Sequence, residues 1–250
     1  MLLSRGYDQK FYESISSDSK EAAHHIIPIL KKLIPISSVV DIGCAGGDWL
    51  KACLDFGIED ICGLDSYSQI PESLKISSRY IINQNLNESF QLEKKYSLSI
   101  CLELAEHLQP DSSSRFISDL CATSDFILFS AAPPGQGGVS HSNEKDLEYW
   151  RSEFLKHEFT AFDPIRPQIM NVKTIAPWYR YNTLLYIRKS AISVAPAELK
   201  ITQVSEREKI KIFDSYPWRI RKLILRRLPV FFVGQMASLK HSLTRIAGKF

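Results

Sequence analysis

The stretch that most constrains this chain covers residues 39–54, where an apolar segment leads directly into a glycine-rich turn. The segment has the sequence VVDI (39–42), the turn has GCAGG (43–47), and an amphipathic run follows at 49–54. This order predicts a β-strand, a tight turn and an α-helix. Glycine suits the turn because the backbone must bend sharply there and let a ligand approach closely. The N-terminus of the helix would offer unpaired N–H groups beside it.

The order of the glycines argues against a dinucleotide-binding turn, which has the pattern G-x-G-x-x-G. Here the pattern is Gly43-x-x-Gly46-Gly47, and Asp41 near the strand end would repel a pyrophosphate and suit a cationic ligand. On these residues the stretch resembles the first motif of the class I S-adenosylmethionine (SAM) methyltransferases, roughly D-x-G-C-G-x-G. Ala45 stands where that motif usually has glycine. Because alanine is the smallest replacement, we expect a slight shift of the turn.

Polar side chains follow the next two predicted strands. Residues 61–65 end in Asp65, which would lie at the same carboxyl edge of the sheet as Asp41 and accept both ribose hydroxyls of a nucleoside. Residues 79–82 lead into Asn85 and Leu86, where related enzymes have Asp-Leu. The resemblance implies that the Asn85 amide oxygen and the Leu86 backbone contact adenine. The predicted cofactor-binding set is Asp41, Gly43, Cys44, Ala45, Gly46, Asp65, Ser66, Asn85, Leu86, Glu103 and Tyr12.

The N-terminal segment predicts a helix from about Ser19, as its N-cap, to Leu33, with Pro28 kinking or splitting it. In methyltransferases of this kind a leading segment often lies across the SAM pocket, so the resemblance implies that Tyr12 borders the cofactor. The alternative is that this helix only covers the sheet.

The chemistry is predicted to lie just after the fourth strand (96–102), whose tip would face the methyl group of SAM. A hydroxyl acceptor must lose a proton, either to a general base or with the help of a metal. His107 fits the base, because imidazole titrates near neutrality, and Glu106 and His141 complete the predicted catalytic set.

A metal site is the alternative reading of the same residues. Glu103, Glu106 and His107 form an E-x-x-E-H group, and His141 adds a fourth oxygen or nitrogen ligand. This group resembles the metal sites of small-RNA 2′-O-methyltransferases and of quinone-pathway O-methyltransferases. Two carboxylates with imidazoles suit Mg²⁺, Mn²⁺ or Zn²⁺.

Two further patches, SAAPPGQGGVSHSNE (130–144) and PWYRYN (177–182), look like bacterial class I methyltransferases that modify sugars or glycans. The remaining predicted strands are 125–131, 159–162 and 183–187. Together these segments predict a Rossmann-like α/β fold with a seven-stranded, mostly parallel sheet, helices on both faces and an antiparallel last strand. We divide the chain into an N-terminal cap (1–36), a SAM-binding core (37–190) and a basic helical extension (191–250).

The net charge of +3 hides an asymmetry between the core and the C-terminal segment. Residues 215–250 contain eight of the 31 basic residues and no acidic residue, so the remainder has 23 basic and 28 acidic residues. Residues 216–228 predict a helix with basic, aromatic and aliphatic side chains. Such a helix could lie on anionic lipid or pack on the core or another subunit. The composition disfavours a nucleic-acid surface, because apolar residues exceed what phosphate contacts need.

The N-terminus lacks the apolar core of a signal peptide, no run approaches the length of a membrane span, and the five cysteines form no C-x-x-C pair. These features predict a cytoplasmic protein, with attachment to the inner face of the membrane through residues 215–250 as an option. The predicted activity is in-line methyl transfer from SAM to a hydroxyl of a small molecule, sugar or glycan intermediate. A quinone-like lipid, an RNA 2′-hydroxyl and a non-catalytic SAM-binding module are the alternatives.

Overall fold

The computed structural model describes residues 9–66 and 74–228. Seven strands form one sheet: β1 (Ser38–Ile42), β2 (Asp60–Asp65), β3 (Ile81–Asn83), β4 (Leu98–Leu102), β5 (Phe126–Ser130), β6 (Phe159–Phe162) and β7 (Leu184–Arg188). Their order in the sheet is β3-β2-β1-β4-β5-β7-β6. The strands β1 to β5 are all parallel to one another, and β7 is antiparallel to both β5 and β6. The predicted Rossmann-like sheet is therefore confirmed.

Helices cover both faces of this sheet, because successive side chains of the buried strands point to opposite sides. In β5, Leu128 packs in the apolar cluster that contains Ala22 and Leu50. Ile127 and Phe129 pack on the other side, in the cluster that contains Phe116 and Phe154. The helices are α1 (Gln9–Leu33), α2 (Asp48–Asp55), α3 (Ser113–Thr123), α4 (Leu147–Lys156), α5 (Arg166–Ile169), α6 (Pro177–Asn182), α7 (Ala197–Lys200) and α8 (Tyr216–Leu225).

The first helix differs from the sequence-based prediction. It begins at Gln9 and continues through Pro28. Ser19 lies inside it, where its hydroxyl shares a 2.9 Å hydrogen bond with the hydroxyl of Tyr179 instead of capping a helix end. The physical reason is burial: the face containing Ala22, Ala23, Ile26, Ile27 and Leu30 is fully buried against the core. Tertiary packing of such a face outweighs local start and stop signals.

The topology places a crevice at the carboxyl ends of β1 and β4. From β1 the sheet extends toward β2 in one direction and toward β4 in the other, and ligands of doubly wound folds bind at such a switch point. The turn after β1, Asp65 at the end of β2, and Glu103 after β4 all lie at this edge.

The C-terminal extension is described as far as Leu228, and the predictions for residues 229–250 lie outside the described part. Its helix α8 packs against the glycine-rich loop that follows β5. Within the described ranges, no helix has the length and apolar character to span a membrane. The division at residues 36 and 190 stays a prediction.

Candidate active site

The turn after β1 has the sharp backbone that its glycines predict. Gly43 and Gly47 have φ values of +87° and +82°, and Ala45 has a φ of +43°. Alanine in this region is strained by about 1–2 kcal/mol relative to glycine. Several hydrogen bonds hold the turn. Among them, Gly47 N–H donates to the Cys44 carbonyl at 2.8 Å, and Ala45 N–H donates to Asp65 Oδ2 at 2.8 Å. The chain therefore retains a left-handed residue where the methyltransferase motif has glycine.

Three carboxylates converge at this turn. Asp65 accepts the Ala45 N–H and, at 2.7 Å, the N–H of Ser66. Burial nevertheless raises its pKa. Asp41 is only 3% exposed, and burial, with repulsion from Asp65 and Asp48, raises its pKa well above the usual range. A cationic ligand would relieve this repulsion, so the buried acids fit a sulfonium compound.

Asn85, Leu86 and Tyr12 are the predicted cofactor-binding residues that lie away from the turn after β1. Asn85 follows β3, and its side chain donates to Glu88 at 2.9 Å while its oxygen accepts the Asn87 N–H at 3.1 Å. Leu86 is buried beside it. Tyr12 lies within α1, but its side chain falls outside the described part. Contacts of these residues with the cofactor stay predictions.

Glu103 is held by two amide side chains that the sequence analysis had given no role. Its backbone has a φ of +53°, and its Oε2 accepts Gln136 Nε2–H at 2.6 Å. Asn182 donates to Gln136 Oε1 at 2.8 Å and approaches Glu103 Oε1 at 3.5 Å. Gln136 and Asn182 lie in the two patches that resembled glycan-modifying enzymes, and that resemblance was the available signal for them.

Glu106 and His107 lie on the short 3₁₀ turn Ala105–His107 just beyond. Glu106 is fully buried, and neither of its carboxylate oxygens has a hydrogen-bond partner of standard geometry among the described residues. The Ala132 backbone and the Glu103 side chain are close enough to act on its pKa. Burial, followed by repulsion from Glu103, raises its pKa well above the usual range. The Nδ1 atom of His107 is likewise buried without a partner in the described chain.

His141 completes this cluster from the glycine-rich loop. The His107 and His141 rings meet edge to face, with their centroids 4.8 Å apart. Burial, with the charge of His141, lowers the pKa of His107 to about 3. One ligand atom from each of Glu106, His107 and His141 lies within 4.8 Å of the others. Three of the four predicted metal ligands are thus brought together, and Glu103 is bound in the amide network instead.

The glycine-rich loop is built around His141. Glu144 accepts a hydrogen bond from His141 Nδ1 at 2.9 Å and from the N–H groups of Gly135 and Gly137 at 2.8 Å each. Burial acts to raise the pKa of Glu144, but these hydrogen bonds outweigh it and lower the pKa. A Cβ atom at Gly138 would lie 2.2 Å from His141 Nε2, so the ring needs glycine there. Glu144 had no predicted role, although it lies three residues after His141.

A cavity of about 260 Å³ lies between this loop and α8. Its lining includes Pro134, Gly138, His141, Ser142, Leu225 and Arg226. The cavity has apolar and polar walls, and the imidazole of His141 forms one side of it.

A family model described as a methyltransferase domain matches residues 15–171, which is more than half of the chain. The chain is a class I SAM-dependent methyltransferase. SAM is therefore the cofactor of this protein, and its binding at the turn after β1 stays a prediction. A search of curated protein sequences finds no significant match.

Solved structures agree with the methyltransferase fold. The SAM-bound magnesium protoporphyrin IX methyltransferase (ChlM) of Synechocystis PCC 6803 is 18% identical, with a TM-score of 0.52 over 74% of this chain and 86% of that chain. The mitomycin 7-O-methyltransferase MmcR is 12% identical, with a TM-score of 0.51 over 72% of this chain and 58% of that chain. At these identities the likeness concerns the fold alone.

Proposed function

We propose that this methyltransferase transfers the methyl group to a hydroxyl oxygen of a sugar or glycan acceptor, with a divalent cation held by Glu106, His107 and His141. The observation that carries the proposal is the buried carboxylate of Glu106. It lies next to the imidazoles of His107 and His141, and it has no hydrogen-bond partner of standard geometry in the described chain. A buried carboxylate without partners is costly, and a cation would compensate it.

The donor set supports a cation at this position. One carboxylate and two imidazoles are ligands typical of Zn²⁺ and Mn²⁺ sites. The hydrogen bond of His141 Nδ1 to Glu144 leaves Nε2 as the nitrogen available for a ligand. Such an outer carboxylate fixes the tautomer and the ring orientation of a metal-binding histidine. The cation would lower the pKa of a bound hydroxyl.

The residues of the chain have separate tasks in the proposed reaction. Asp65 would bind the ribose hydroxyls of SAM, which supplies a methyl carbon on a sulfonium leaving group. Glu103, held by Gln136 and Asn182, would fix the boundary between the cofactor and the acceptor. Alignment of acceptor and methyl then accounts for much of the rate.

The acceptor class is supported by the cavity beside His141. Polar loop backbone and Ser142 line it together with Leu225, which suits a hydroxyl-rich group. A cation at the cluster could bind adjacent hydroxyls, as sugars carry. The similarity of the loop (130–144) and of PWYRYN (177–182) to glycan-modifying enzymes adds to this.

His107 as a direct general base is the second candidate, because its Nδ1 is unpartnered in the described chain. A base works best when its pKa lies near the working pH. The low pKa of His107 makes it a weak proton acceptor and suits a neutral metal ligand. A quinone-like lipid and an RNA 2′-hydroxyl remain the alternative acceptors.

The test combines elemental analysis, calorimetry and a methyl-transfer assay with labelled SAM on a panel of sugars, a quinol and RNA. We expect about one bound metal per chain, loss of transfer after chelation, and recovery on adding the metal. Glu106→Gln should lose the metal and the transfer activity but still bind SAM. The control His157→Gln, at the C-cap of α4, should keep metal content, transfer activity and SAM binding. Full activity of metal-free enzyme would eliminate the cation, and failure to bind SAM would refute the cofactor assignment itself.

A further inference from the structure

The helix α8 has its polar contacts toward the protein and an apolar face toward the outside. On the inner side, Arg221 donates to the Gln136 carbonyl, and Arg226 Nε donates to the Pro134 carbonyl at 2.5 Å. Lys222 forms a 2.5 Å ion pair with the buried Asp214. Leu225 is buried between these contacts. This side of α8 therefore fixes the glycine-rich loop and borders the cavity.

The opposite side, which we call the outer face of α8, consists of Ile220, Leu223 and Ile224. Leu228 continues it just past the end of the helix and borders both the groove and the cavity. Leu223 and Ile224 are 58% and 57% exposed. Together with Arg227, the four residues line one groove on the surface. Single exposed apolar residues are ordinary, but a continuous apolar stripe on one helix indicates an interaction surface.

Positive charge surrounds this apolar stripe. Arg219 and Arg227 are exposed beside it, and the segment 215–250 has eight basic residues and no acidic one. We propose that the outer face of α8 docks on an anionic lipid surface. The cavity on the inner side of the same helix would then lie at the membrane, so that a membrane-bound acceptor could reach it. This last step depends on the proposed function, whereas the docking itself does not.

The charge pattern favours a lipid surface over other occupants. A second copy of the chain would bring its own Arg219 and Arg227 against the same residues, and like charges repel. A nucleic acid would pair with the arginines but would leave the four apolar side chains in water. An anionic bilayer accepts both, because the apolar face enters the acyl boundary while the basic residues stay at the phosphates.

The test is flotation of the full-length protein with phosphatidylcholine vesicles, with and without a third of phosphatidylglycerol. We expect flotation with the anionic vesicles only, weakened by salt as screening predicts. The double variant Leu223→Ser/Ile224→Ser should lower vesicle affinity about tenfold or more. The matched control is Val194→Ser/Ile201→Ser, which changes apolar residues that are 81% and 85% exposed elsewhere, and it should float like the original chain.

A second measurement separates the docking from the proposed function. SAM binding by calorimetry and transfer to a short soluble acceptor should be unchanged in the Leu223/Ile224 variant, because neither residue lines the cavity. Equal flotation of both double variants, or no flotation of the original chain, would overturn the docking. The docking would also be overturned if the original chain sediments as a dimer and the Leu223/Ile224 variant alone sediments as a monomer. A second copy of the chain would then cover the outer face of α8.

Discussion

Replacing Asp41 by asparagine tests whether the acid at the end of β1 is kept for the ligand at a cost in stability. The carboxylate is almost completely buried, and Asp65 and Asp48 repel it. Removing a buried, incompletely compensated charge is worth about 1–3 kcal/mol. We therefore expect the ligand-free Asp41→Asn protein to be more stable at pH 8, with a Tm higher by about 2–4 °C for each kcal/mol.

The sign of the pH dependence follows from the raised pKa. Below the ordinary aspartate pKa of 3.8, the carboxyl is protonated in both the folded and the unfolded chain, so the variant has no advantage. As the pH rises through the raised pKa of the folded protein, the original chain loses stability. The difference in Tm between variant and original should therefore grow from about pH 4 to pH 8.

SAM should reduce the advantage of the variant by a calculable amount. A ligand at 100 times its Kd stabilises the native state by about 2.7 kcal/mol. If Asp41→Asn weakens SAM binding about tenfold, it loses about 1.4 kcal/mol of that gain. The assay is thermal unfolding from pH 4 to pH 8, with and without SAM, and Kd by calorimetry.

The control is Glu59→Gln, an exposed acid before β2, for which we expect no change in either measurement. A ligand-free Asp41→Asn protein that is less stable at pH 8, or a difference in Tm independent of pH, would refute the argument from burial. Equal stabilisation of variant and original by SAM would show that the acid is not part of the cofactor site.

Three further predictions concern the cofactor, the cluster and the C-terminal helix. Asp65→Asn should raise the Kd for SAM about tenfold or more in calorimetry, because charged hydrogen bonds contribute about 1.5–3 kcal/mol. Gly138→Ala should displace the His141 ring, since its Cβ would lie 2.2 Å from Nε2, and so lower metal content and transfer while SAM still binds. Gly135→Ala, whose Cβ would lie 2.4 Å from the Lys222 carbonyl oxygen, should detach α8 and speed its removal by limited proteolysis.

Each of these changes has an outcome that contradicts it. An unchanged Kd in Asp65→Asn would place the ribose elsewhere. Gly138→Ala with normal metal content would show that the loop can shift without cost to the cluster. If Gly135→Ala leaves α8 as resistant to protease as the original chain, the contact between the loop and the helix does not hold the extension.

The sequence by itself determined the features of this protein that depend only on residues close together along the chain. The order of apolar strand, acid and glycines at 39–47 predicted β1 and its turn, and the strand at 159–162 was predicted with the bounds that β6 has. Asp65 was placed at the same sheet edge as Asp41 from strand order alone. Such features are local because strand alternation and turn conformation are set within a few residues.

Only the tertiary structure decided which polar side chains join Glu103 and which join Glu106. Glu103 and Glu106 are three residues apart, yet Glu103 binds Gln136 and Asn182, which lie 33 and 79 residues further along the chain, whereas Glu106 faces His107 and His141. The inward polar side of α8 likewise depends on its contact with a distant loop. Contacts of this kind follow from the packing of the core and the placement of the loops, which no short sequence pattern encodes.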